Sequence, residues 1–327
     1  MRVKANKPPQ FFGPYAVHLY AYIKYKQALG YKYYAAAESL TMFDTFSISA
    51  GANGEELSKE IVNTWIEKRF DEKPQTQSGR ITTIRGFGKY LDSIGVCAYT
   101  PPPGTGAKVQ RYIPYIFTHS EISRLFAAAD NQRIVKQYPQ SHLITPAIIR
   151  LLYGTGLRVS EALTLQTTDV NFKAGVIKVV DSKFGKDRLI PLSDSLLKYL
   201  SDYAQKAQPT NIFFPNRKGG KLTTTGIYGM FRRVLWESGI SHGGRGNGPR
   251  LHDLRHTFSA HSIAQMVAQG ADLYVALPIL AAYLGHEKLS TTNQYVRLTA
   301  ETFPEIIKTV EEDCGFVFPK IGVADEE

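Results

Sequence analysis

Val176-Ile-Lys-Val-Val-Asp-Ser-Lys-Phe-Gly-Lys-Asp-Arg-Leu-Ile-Pro191 is the stretch whose pattern sets the fold class. Val176 to Val180 and Arg188 to Pro191 are β-branched or apolar, and the polar run Asp181 to Asp187 separates them, so the spacing predicts an antiparallel hairpin. The flanks are helical. Upstream, Thr118-His-Ser-Glu121 is a capping box that starts a helix through Ala129, and Ser141 to Tyr153 is a second helix, ended by Gly154-Thr-Gly156. Downstream, helical spacing covers Ser193 to Gln205, Thr223 to Ser238, His252 to Gln269, Leu273 to Leu284 and Ala300 to Glu311. One hairpin among helices gives a mainly α protein with a small antiparallel β-sheet, an α+β class.

Further towards the N-terminus the same period yields four helices: Pro14 to Leu29 (stopped by Gly30), Ala35 to Ile48, Ser58 to Phe70, and about Thr76 to Ile94. Pro101-Pro-Pro-Gly-Thr-Gly-Ala107 then interrupts all periodicity and reads as an interdomain linker. The expected order is an N-terminal tail over residues 1–13, a helical domain over 14–98, the linker over 99–111, a second domain over 112–312 and a C-terminal tail over 313–327.

The chain carries 39 Lys plus Arg against 29 Asp plus Glu in 327 residues, a formal charge of +10. With 43% hydrophobic residues it can build cores, which excludes a disordered basic arm. No apolar run is long enough to span a bilayer and the N-terminus has no signal-like apolar core, so a cytoplasmic protein is expected. Cys97 and Cys314 are too few and too distant for a disulfide framework or a metal knuckle. Basic residues cluster from Lys73 through Arg80, Arg85, Lys89 and Lys108 to Arg111, and again from Arg217 through Arg232 and Arg233 to Arg255. Their neighbours are mostly Thr, Ser, Gln, Asn and Gly, without the bulky apolar face of a membrane helix, which favours a nucleic-acid partner. Arg80, Arg85, Lys89, Arg232 and Arg233 are the candidate DNA contacts.

Several residues have chemistry to offer. Arg158 follows a glycine turn and lies one helical turn from Glu161, which suits either a phosphate fork or an ordinary intrahelical ion pair. Lys183 sits in the hairpin turn, where a mobile ammonium can act as a general acid, and Lys186 competes with it. His252 and Arg255 share a helix face. His252 and His256 make half of a zinc-helix pattern, but Asp253 stands where the general-base Glu belongs and no third ligand is obvious. His286 ends a helix, and Tyr295 follows nine residues later.

Taken in order, Arg158, Lys183, His252, Arg255, His286 and Tyr295 form a series that resembles the tyrosine recombinase (phage integrase) family. The matching stretches are Thr155 to Leu163, Lys183 to Pro191, Leu251 to Phe258 and Leu284 to Tyr295, spread over the second domain. The first domain looks like the family's core-binding domain by architecture. The resemblance implies a clamp around duplex DNA, a tetrameric synapse on paired specific sites, accessory DNA-bending or directionality factors in some systems, and neither metal nor ATP as cofactor. Tyr295 would attack the scissile phosphate to form a 3′-phosphotyrosyl link. Arg158, Arg255, His252 and His286 would contact that phosphate, Lys183 would protonate the leaving 5′-oxygen, and Glu161 would orient the Arg158 region.

The wording of 270–286 is similar to that of mobile-element integrases. A catalytically silent DNA-binding accessory protein and a type IB topoisomerase are the rival readings; the intact Arg158, Arg255 and Tyr295 argue against the first, the small linker-separated helical domain against the second. The apolar segment Phe316 to Ile321 is expected to pack either in a neighbouring protomer or back on its own domain. Gly243 to Gly248 reads as a flexible loop or a backbone track along phosphates.

Overall fold

Asp44 shows how the N-terminal unit is tied together: it is 2% exposed, and its carboxylate accepts the backbone N–H groups of Phe12 at 2.7 Å and Gly13 at 3.0 Å. A side chain at Gly13 would put its Cβ 2.6 Å from the Asp44 Oδ1, so the approach requires glycine. In this computed structural model the described residues are 9–109, 112–180, 187–244 and 248–285. They fall into two units that divide between Tyr112 and Ile113.

The first unit holds α1 (Ala16–Ala28), α2 (Tyr34–Ser49), α3 (Lys59–Ile66) and α4 (Pro74–Ser93). Their apolar faces close over an aromatic core in which Tyr15, Tyr22, Phe43 and Phe87 are fully buried, each contributing roughly 2–3 kcal/mol by leaving water. Trp65 meets Phe43 edge-on at 5.4 Å. The sequence pattern extends the third helix to Phe70, but it ends at Ile66 because α4 takes its last carbonyls. Gln77 donates to the Ile66 carbonyl at 3.0 Å, and Arg80 donates to those of Trp65 and Glu67.

The second unit opens with α5 (His119–Asp130), whose Thr118–Glu121 capping box forms as the sequence predicts. The helices α6 (Ser141–Thr155) and α7 (Val159–Thr164) follow, then a three-stranded antiparallel sheet of β1 (Val170–Asn171), β2 (Val176–Val179) and β3 (Arg188–Pro191) in the order β1-β2-β3. The expected hairpin is β2–β3, with Val179 opposite Arg188 and Val176 opposite Pro191. Its partner β1 is too short for a strand pattern to register. The remaining helices are α8 (Asp194–Ala207), α9 (Thr224–Glu237), α10 (Asp253–Ala268) and α11 (Leu273–Leu284). The mainly α class with a small antiparallel sheet is therefore as expected. Almost every side chain of α6 from Ile144 to Leu152 is buried, which makes it the central helix of this unit. No helix among the described residues is long and apolar enough to cross a membrane.

Candidate active site

Four helix ends and one strand meet at the candidate site, each for a local reason. The α6 helix terminates at Gly156, whose φ of 61° is left-handed. A Cβ there would lie 2.5 Å from Phe258 and 3.0 Å from Leu284, so both conformation and packing demand glycine. The chain turns at once into α7, with Arg158 as the extended residue before its first turn. Glu161, three residues on, accepts the Arg158 backbone N–H at 2.9 Å and thereby starts the helix.

The same carboxylate organises two guanidinium groups. Arg158 Nη1 donates to Glu161 Oε1 at 2.8 Å, while Arg188, from β3, donates Nη1 to Oε1 at 3.0 Å and Nη2 to Oε2 at 2.8 Å. Burial alone would raise the pKa of Glu161, but the Arg188 hydrogen bonds and charge, with the backbone and side-chain hydrogen bonds from Arg158, bring it down to about 2. The ion pair allowed by the Arg158–Glu161 spacing thus exists, and it is shared with a second arginine.

Arg255 enters from α10 and is only 2% exposed. Its guanidinium donates to the carbonyl of Gly156 at 2.6 Å and to that of Leu284 at 2.8 Å, bridging the C-terminal ends of α6 and α11, where helix carbonyls carry partial negative charge. Arg158 Nη2 reaches the next carbonyl, Gly285, at 3.2 Å. His252 sits at the start of α10, its ring 5.1 Å from that of His256. His252 is an exposed residue, yet the protein around it, with the charges of Arg255 and Arg158, lowers its pKa to about 4 despite the opposing Glu161. It is neutral at pH 7.

Arg158, Glu161, His252 and Arg255 are thus brought together. Lys183, Lys186, His286 and Tyr295 lie outside the described residues, as do part of the Gly243 to Gly248 loop and Phe316 to Ile321. Arg188 was not a sequence candidate. Its only sequence signal is its place on the strand five residues after Lys183, and nothing in the chain order shows that it reaches Glu161.

The candidate DNA contacts divide. Lys89, Arg232 and Arg233 are exposed, and Arg233 lines a groove of about 740 Å³ with Arg124 and Arg133. Arg80 does not fit that expectation: it is 3% exposed and salt-bridged to Glu72 at 2.6 Å, so its charge is spent holding α3 to α4. Arg85 donates to the carbonyls of Pro101 at 2.8 Å and Pro102 at 2.7 Å, which fastens the proline run to α4.

A family model described as the phage integrase family matches residues 116–302. The putative integrase/recombinase y4rB of Sinorhizobium fredii is 29% identical, over 89% of this chain and 95% of the relative. Tyrosine recombinase XerC of Staphylococcus saprophyticus is 30% identical, over 72% of this chain and 74% of the relative. Among solved structures, the Tn1549 transposon integrase in complex with transposon right end DNA aligns over 88% of this chain and 99% of that one, with a TM-score of 0.61 and 16% identity. A lambda integrase dimer bound to a COC′ core site aligns over 85% and 76%, with a TM-score of 0.59 and 18% identity. At such identities the two structures show a common fold.

Proposed function

The chain belongs to the phage integrase family and is a site-specific recombinase that cuts and rejoins DNA, and we propose that it does so through a covalent 3′-phosphotyrosyl link to Tyr295. The observation that carries this reading is the convergence of Arg158 and Arg255 on the end of α11, immediately before His286 in the chain. In this reading residues 14–98 form a core-binding domain and residues 112–312 the catalytic domain. Duplex DNA is the partner, in a tetrameric synapse.

The Tyr295 oxygen forms a bond to the scissile phosphorus as the bond from phosphorus to the 5′-oxygen breaks. Lys183 gives its proton to that 5′-oxygen. Arg158 and Arg255 stabilise the charge that builds on the non-bridging oxygens, and His286 adds a hydrogen bond. His252 is neutral before DNA arrives, and a phosphate held beside it raises its proton affinity, so it can accept the tyrosine proton. The ester keeps the energy of the broken bond, and the reverse attack by a 5′-hydroxyl rejoins the strand.

The match to y4rB over most of both chains and the similarity of 270–286 to mobile-element integrases favour integration or excision of mobile DNA. The test is trapping. Full-length protein incubated with nicked duplex fragments of its genomic DNA should give an adduct that survives detergent, and Tyr295→Phe should lose it while still binding DNA. An adduct formed by the Phe variant removes Tyr295 as nucleophile, and the mapped trapped sequences tell integration or excision from other recombination.

A further inference from the structure

We propose that Arg188 is a positioning residue of the recombination site: it occupies Glu161 so that the charge of Arg158 stays available to a phosphate. The proposal rests on the reading above for the phosphate, but its geometry stands by itself. Arg188 gives the Glu161 carboxylate two side-chain hydrogen bonds, at 3.0 and 2.8 Å, whereas Arg158 gives it one, at 2.8 Å. The three side chains are 13%, 21% and 7% exposed for Arg188, Arg158 and Glu161, so solvent screens them little.

The arrangement is a carboxylate between two cations, with a net charge of +1. With Arg188 absent, Glu161 and Arg158 form a neutral pair, and an anion approaching Arg158 meets no net charge there. Arg188 also has a structural reach that links the parts of the site. It lies on β3, five residues after Lys183, and its guanidinium packs on the end of α11, where a Cβ at Gly285 would stand 3.5 Å from Nη1. One side chain thus contacts α7 and the residue before His286 from the strand that follows Lys183 in the chain.

The charge role and a merely structural role predict opposite signs, which makes the test sharp. Phenylglyoxal labelling of Arg158 in the full chain, read by peptide mass spectrometry, reports how tightly that guanidinium is held by a carboxylate. In Arg188→Gln, Glu161 pairs with Arg158 alone, and labelling should slow by about tenfold; Arg188→Gln combined with Glu161→Gln should restore it. Faster labelling in Arg188→Gln, as expected if α7 merely loosens, overturns the proposal.

A second readout uses the trapped DNA sites. At saturating DNA, adduct formation by Arg188→Gln should fall by about a hundredfold, as for a misplaced reacting group, and adding Glu161→Gln should recover part of it. Arg188→Lys, which keeps the charge without the fork, should lie between, and it guards against a variant that fails to fold. Losses that multiply in the double variant overturn the proposal. Absence of any adduct from the unaltered protein overturns the phosphotyrosyl reading instead, and the labelling experiment still decides the role of Arg188.

Discussion

Arg158 and Arg255 bond consecutive carbonyls, Gly285 at 3.2 Å and Leu284 at 2.8 Å, so two arginines from different helices hold the same helix end. The Arg255 contact is buried, and lysine, a point charge on a flexible stem, lacks the planar fork that fits Gly156 and Leu284 together. Arg255→Lys should lower unfolding stability by about 1.5–3 kcal/mol, the worth of a charge-assisted hydrogen bond, and reduce adduct formation far more than DNA affinity. Chemical denaturation and single-turnover cleavage measure the two effects; unchanged stability would mean that the bridge contributes nothing.

Gly156→Ala tests the turn that aims Arg158 and offers Arg255 a carbonyl. The left-handed φ of 61° costs a residue with a Cβ about 1–2 kcal/mol, and overpacking against Phe258 and Leu284 adds about 1–3 kcal/mol. A clear fall in melting temperature is expected, with loss of cleavage. An unaltered melting temperature would show that the turn relaxes freely.

Arg80 and Lys89 should part company although both lie on α4 within one basic cluster. Arg80→Ala leaves Glu72 without its buried partner and should destabilise the N-terminal unit by about 3–5 kcal/mol. Lys89→Ala should leave stability unchanged, weaken DNA binding, and reduce the slope of log affinity against log salt by about one. Equal thermal stability of the two variants would contradict the division of roles.

Acid should weaken the fold in two windows. His261 is 8% exposed; burial and the nearby His119 lower its pKa to about 4, while its Nδ1 lies 2.9 Å from the Tyr153 hydroxyl. The unfolded chain therefore binds more protons between pH 6.5 and 4, so the stabilisation is complete above 6.5 and is lost as pH falls through about 4. Glu161, held at about 2, contributes stability above pH 4.5 that disappears as pH falls towards 2. Urea titrations across pH should show both; His252, also lowered to about 4, shares the upper window, so His261→Gln should shrink that window without changing the lower one.

The sequence by itself marked most of the described helices, the β2–β3 hairpin and the glycine stop at Gly156, because each depends on residues close in the chain: a capping box, β-branched and apolar runs around a polar stretch, a backbone only glycine adopts freely. The early end of α3 and the short α7 came from the structure, and the helix expected over Ala300 to Glu311 lies outside the described residues. It also marked Arg158, His252 and Arg255 as chemical candidates by residue type and order. Only the tertiary structure decided what their charges meet. Arg80 and Lys89 look alike as letters nine positions apart, yet one faces Glu72 in the interior and the other faces water. Glu161 reads as the partner of Arg158 three residues away, but its stronger hold comes from Arg188, 27 residues on, brought back by the sheet. Hydrogen bonds and ion pairs act over a few ångströms in space, and chain order records that distance only within one helical turn or one hairpin.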